Sequence, residues 1–278
     1  MNRGLYFLFL LLIIFAGFFL WQRCASTSKI QIDDDRNALE SQFPEIIHEN
    51  STTEFQFVEP IITDFVLDYK GFVLEFDTLN RNARWVAYML CRERLGDGVE
   101  RAGSFRMEQR LGAFSPRDAE YRNTGYDRGH LAPAADMGWD EVCMRESFIL
   151  SNVSPQVPAF NRGIWKRLEE QVRKFALAHD TIFVVTGPIL VDELPKLGNS
   201  KIAIPNLFYK AVLKISGNQA MGIAFVLPNE RGEGNLSNFA ISIDSLEILS
   251  GLNFFPQLNP QQSHDAESLI KLEFWNLN

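Results

Sequence analysis

Asp127, Arg128, Gly129 and His130 stand side by side. They put a carboxylate, a guanidinium, a residue that permits close backbone approach and an imidazole into one short stretch. Proton transfer near neutral pH needs a group that titrates there, and His130 has polar neighbours able to fix its tautomer. A single histidine is more often a satisfied structural residue, so the company it keeps is what argues for chemistry. The same neighbourhood is rich in arginine: ten of the eighteen arginines fall between Arg81 and Arg128, a window with no lysine. The planar guanidinium suits bidentate phosphate contacts, although seven acidic residues share the window and internal ion pairs are the plainer use of any one arginine. Zinc chemistry is disfavoured, because the four histidines, His48, His130, His179 and His264, include no pair at ligand spacing. Cys24, Cys91 and Cys143 show no CxxC pattern, and a Cys91–Cys143 bridge stays open.

These residues need elements to hold them. Gly71–Phe76, Arg84–Leu90, Phe148–Val153, Thr181–Thr186 and Ala220–Leu227 are rich in aromatic and β-branched side chains and are expected to be strands of a buried central sheet. From Asn161 to His179, Ile164, Trp165, Leu168, Val172, Phe175 and Ala176 recur on one helical face, while Lys166, Arg167, Glu170 and Lys174 occupy the other. Asn161 opens that helix in phase with Trp165, Leu168 and Val172, which turns its side chain inward. Glu169, at roughly 100° per residue, lies about 80° around and flanks the same side. Taken alone, Asn161 would serve as a helix N-cap and Glu169 as the i,i+4 partner of Arg173. A second helix is expected over Ile243–Leu249, ended by Gly251. The fold class is α+β.

Asp127-Arg128-Gly129-His130 resembles the DRGH signature of the DNA/RNA non-specific endonucleases. A second block strengthens the likeness: Leu150-Ser-Asn-Val-Ser-Pro-Gln156 followed by Asn161-Arg-Gly-Ile-Trp-Lys-Arg-Leu-Glu169 is similar to the family pattern in order and spacing. Val185–Pro188 and Ile204–Lys210 extend it. The resemblance implies a ββα-metal nuclease fold, with a central, mainly antiparallel sheet flanked by helices, and an enzyme that hydrolyses phosphodiester bonds of DNA and RNA to leave 5′-phosphate ends. It makes His130 the general base and Asn161 the direct ligand of Mg²⁺, with Mn²⁺ as a substitute; Mg²⁺ dehydrates reluctantly and accepts a site that leaves it several waters. Asn152 would help hold the site, Glu169 would orient water at the metal, and Arg128 would bind phosphate or brace the site. A further family arginine falls at Arg101 or Arg106, upstream of Glu108 where the family pattern has aspartate. A homodimer and an inhibitor protein remain open as partners beside the DNA and RNA substrates. The alternative is a non-catalytic nucleic-acid-binding or envelope protein on the same fold.

At 278 residues and 46% hydrophobic content the chain can bury one substantial core. A net charge of -8 sits oddly with a polyanion substrate until it is located: Ile30 to Asp68 hold ten acidic residues against Arg36 alone. The expected organisation is a transmembrane signal anchor over 1–22, an acidic spacer over 23–60 and the nuclease domain over 61–278. The anchor rests on Leu5–Trp21, a 17-residue uncharged run. As a helix it would reach about 25 Å, near the lower limit for a bilayer, and a cleaved signal peptide is the competing use. Either use puts the catalytic domain outside the cytoplasm, membrane-anchored in the periplasm or facing the exterior, or cleaved and secreted.

Overall fold

In the computed structural model, which describes residues 57–61, 65–96 and 98–277, the β-branched and aromatic runs become strands. Those of the main sheet are β1 (Val66–Asp68), β2 (Val73–Asp77) and β3 (Asn82–Cys91), with two short strands, β4 (Asp127–His130) and β5 (Val153–Gln156), set apart. The chain returns to the main sheet with β6 (Thr181–Pro188), β7 (Leu207–Ser216), β8 (Gln219–Pro228) and β9 (Ala240–Ile241). Among the described residues the main sheet runs in the order β1-β2-β3-β6-β7-β8-β9 with every neighbour antiparallel. Its central strands are buried over most of their length, as the apolar runs require. The helices are α1 (Asp118–Tyr121), α2 (Glu141–Ser147), α3 (Lys166–His179), α4 (Ile243–Ser250) and α5 (Pro260–Glu267). α4 and α5 pack on β8, α3 on β3 and β6.

β4 and β5 pair antiparallel, Asp127 opposite Gln156 and His130 opposite Val153. α3 follows directly, so the ββα arrangement is present as a strand pair and a helix beside the main sheet. The buried face of α3 is the expected one, with Leu168, Val172, Phe175 and Ala176 fully covered. Its beginning is different. Residues Phe160–Trp165 wind as a π-helical turn, with Gly163 at φ -106 and ψ -109, outside helical geometry, and regular α-helix starts only at Lys166. The expected strand Phe148–Val153 is also corrected: Leu150–Asn152 is a 3₁₀ turn and the strand begins at Val153. The side chain of Asn152 bonds instead to the backbone of Ala132 and Ser147. α4 ends as read, with Gly251 in the left-handed region at φ 71.

One open possibility is closed and one expectation is corrected. Cys91 and Cys143 are free thiols, so the bridge between them does not form. No helix among the described residues is long and apolar enough to cross a membrane. The longest one on the site side, α3, has 14 residues, about 21 Å against a hydrocarbon core of about 30 Å, and one face is charged. The segment 1–22 lies outside the described residues. The transmembrane helix, the membrane as a partner and a membrane-anchored location outside the cytoplasm are withdrawn accordingly.

Candidate active site

β4 delivers His130 into a mostly apolar niche. Its ring meets Phe148 edge-on at 4.8 Å and Phe105 at 5.3 Å. Burial, and then the positive charge of Arg101, lower its pKa to about 3, so the imidazole is neutral. Its Nε2 is buried with no hydrogen-bond partner. The backbone here is fixed from two sides. Gly129 lies over Gln156, where a Cβ would come within 2.1 Å of Oε1, so no larger residue fits without displacing that side chain. Asn152, fully buried, accepts from Ala132 N–H at 2.9 Å and donates to the carbonyls of Ala132 and Ser147, each at 2.9 Å. It therefore pins the chain that follows His130.

The π-helical turn delivers Asn161. Its amide nitrogen donates to Asp127 Oδ2 at 2.9 Å, and Arg162 grips the same carboxylate through Nε at 2.8 Å and Nη2 at 2.6 Å. Against the opposing effect of burial, the bonds from Arg162 and Asn161 hold the Asp127 carboxyl below its ordinary range. Asn161 is not an N-cap: that position is Trp165, which makes no side-chain cap bond. Glu169 lies further along on α3. Burial pushes its carboxyl upward, Lys210 pulls it down and Asp136 pushes it up again. The i,i+4 neighbour Arg173 reaches Asp136 at 2.9 Å, and Tyr88 donates to the other oxygen of Asp136 at 2.8 Å.

One cavity of about 580 Å³ brings these groups together, with His130, Asn161, Glu169, Arg101, Arg128 and Asp127 in its wall. Arg128 is held by Asp118, Nε to Oδ1 at 2.6 Å and Nη2 to the backbone carbonyl at 2.9 Å. Of the two upstream arginines, Arg101 lines the cavity, its guanidinium 5.0 Å from the Phe148 ring, whereas Arg106 turns away to the Arg145 carbonyl at 2.9 Å. Glu108 is an internal brace that accepts from Tyr69 and Arg110. Asn152 is not in the wall; it acts from behind. Arg162, Lys166 and Arg173 also face the cavity and were not singled out from the sequence. Only Arg173 carried a local signal, its i,i+4 spacing from Glu169.

The sequence pattern of the DNA/RNA non-specific endonucleases matches residues 50–261. The chain belongs to that family. Among relatives of this endonuclease, mitochondrial endonuclease G of Homo sapiens is 35% identical over 204 residues, covering 68% of this chain and 69% of that protein. Nuclease C1 of Cunninghamella echinulata var. echinulata is 33% identical over 230 residues, 76% of this chain and 90% of that one. A solved structure described as the EndoG/EndoGI complex, with the mechanism of EndoG inhibition, superimposes with a TM-score of 0.66 at 31% identity, over 71% of this chain and 88% of its own. The endonuclease is accordingly an enzyme, and a metal-dependent one, which removes the non-catalytic alternative. Among the described residues no three His, Cys, Asp or Glu side chains are grouped to hold an ion.

Proposed function

We propose that this endonuclease is sugar-non-specific, hydrolysing DNA and RNA to 5′-phosphate ends, with His130 as general base and Asn161 as the protein ligand of a divalent ion. The observation that carries the reading is that His130 stands in the same cavity wall as an Asn161 whose amide nitrogen is already engaged by Asp127. With the nitrogen spoken for, the carbonyl oxygen of Asn161 is the end left to bind a cation. One hard oxygen donor in a roomy, polar cavity fits Mg²⁺, or Mn²⁺ in its place, better than a soft or caged metal. When bound, such an ion supplies Lewis-acid polarisation of the scissile phosphate and charge stabilisation at the leaving oxygen.

The chain's own groups do the remainder. His130 takes the proton of the attacking water, for which a neutral imidazole is required. Glu169 accepts hydrogen bonds from water in the cavity and orients it. Arg101 offers its guanidinium to the non-bridging phosphate oxygens, while Arg128, tied to Asp118, braces the wall. None of these contacts reads a base, which accords with cutting both nucleic acids. An inhibitor protein belongs to this reading as a partner, by likeness to the inhibited relative.

Plasmid nicking and RNA digestion with and without chelator test it. His130→Ala should lower kcat by about 10² to 10⁴ with metal binding kept. Asn161→Ala should weaken both, and excess Mg²⁺ should restore part of its activity only. Calorimetry that found metal binding abolished by His130→Ala and intact in Asn161→Ala would reverse the assignment.

A further inference from the structure

Asp127 stands in the cavity wall next to Asn161. For a hard divalent cation an ionised carboxylate is a stronger donor than a neutral amide oxygen, so of the two Asp127 is the one expected to capture the ion. Its oxygens are already taken. Oδ2 accepts from the Asn161 amide at 2.9 Å and from Arg162 Nε at 2.8 Å, and Oδ1 accepts from Arg162 Nη2 at 2.6 Å. The arginine fork therefore covers both oxygens in the bidentate manner that suits a carboxylate. β4 fixes the other side of the contact, since Asp127 pairs there with Gln156. Side chains of consecutive residues leave a regular helix about 100° apart, yet Asn161 and Arg162, both in the π-helical turn, meet at one carboxylate.

Fold stability gives this pair little to do. Arg162 has 72% of its side chain exposed and Asp127 16%, and an ion pair so open to water adds little to folding. Arg128, which follows Asp127 in the chain, turns to Asp118 instead. The effect of the fork is felt at the cavity. It matches the charge of Asp127 and fills its lone pairs, while the amide nitrogen of Asn161, and not its oxygen, faces the carboxylate. A carboxylate joined to Mg²⁺ would displace a water and cancel part of the ion's charge, and a metal that polarises a phosphate needs both.

We propose that Arg162 is a positioning residue of the active site, which holds Asp127 away from the divalent ion so that the ion is left with a neutral amide donor and most of its water. This rests on the role given to Asn161 under the proposed function. The test titrates Mn²⁺ alone by calorimetry into the whole chain and into Arg162→Ala, Asp127→Ala and the double variant, with kcat and KM on plasmid DNA at saturating Mg²⁺ read in parallel. Freed of the fork, Asp127 should become a ligand: Arg162→Ala should bind Mn²⁺ about 10-fold more tightly or better, with kcat lowered roughly 10- to 100-fold and KM changed by less than about threefold. In the Asp127→Ala background the same substitution should shift Mn²⁺ affinity by less than about threefold. Unchanged or weaker Mn²⁺ binding by Arg162→Ala overturns the proposal, and so does equal tightening in both backgrounds, which the loss of a positive charge alone would give. A raised KM with Mn²⁺ affinity unchanged overturns it too, and makes Arg162 a phosphate contact. Arg162 is exposed, so its removal spares the core, and Arg162→Gln run in parallel keeps the cycle decisive if the alanine variant does not fold. Asn161→Ala is titrated beside them. If it binds Mn²⁺ as the wild type does, the role of Asn161 fails, and the cycle between Arg162 and Asp127 still decides whether the fork withholds the carboxylate.

Discussion

The side-chain amide of Asn161 donates to the carboxylate of Asp127 at 2.9 Å, which decides the end of that amide left for a cation. Asp127→Ala would free the amide to rotate and release Arg162. The Mg²⁺ concentration for half-maximal activity should rise by about 10- to 100-fold, the usual cost of losing a partner behind a metal ligand, with kcat largely recovered at high Mg²⁺. A Mg²⁺ titration of the variant checks this, and an unchanged requirement contradicts it.

Arg101 and Arg106 are five positions apart in the chain and have different surroundings, one in the cavity wall and one bonded to Arg145. Arg101→Ala should reduce kcat by about 10² to 10³, the range for a lost donor to developing negative charge. Arg106→Ala should stay within about twofold, as an exposed side chain away from the chemistry. Steady-state kinetics of the pair is sufficient, and equal losses would remove the distinction.

Acid should destabilise the fold through His130. Burial and the charge of Arg101 lower its pKa from 6.5 to about 3 in the folded chain. The unfolded chain therefore takes up the proton first: the stability is complete above about pH 6.5 and is lost progressively as pH falls toward 3. Between about pH 7 and about pH 4.5, urea unfolding should show the wild type losing about 2–3 kcal/mol more than His130→Gln. Parallel losses in the two proteins would show that His130 does not carry the effect.

Asn152→Ala should act on stability and through it on turnover. The substitution leaves Ala132 N–H and the Ala132 and Ser147 carbonyls without their present partner. Each buried group left unpaired costs about 1–3 kcal/mol. A denaturant midpoint indistinguishable from wild type would show that water or a shifted chain fills the role.

Residues whose work is local were legible in the sequence. His130 stood out by its immediate neighbours, and the covered face of α3 by its spacing. What the sequence did not reveal depends on contacts between distant segments. Lys210 meets Leu131 across 79 positions, and Arg173 meets Asp136 across 37; no periodicity encodes either. The choice between Arg101 and Arg106 is likewise a matter of direction. Phe148–Val153 misled by its apolar texture, since Leu150–Asn152 is a 3₁₀ turn and the strand begins only at Val153. The start of α3 misled because a helical wheel assumes a constant turn, and Phe160–Trp165 do not keep one.

That loose turn makes length, more than composition, the sensitive variable of this stretch. A π-helical turn holds roughly one residue more than regular α-helix needs. Loss of a single codon between Phe160 and Trp165 could be absorbed by tightening the backbone, leaving the apolar face of α3 seated against the sheet. The tightened turn would no longer present Asn161 as the π-helical one does, and its amide would leave Asp127. Genetic screens for soluble expression and for nuclease action would part company at this place in the gene, the first passing a one-codon deletion that the second rejects.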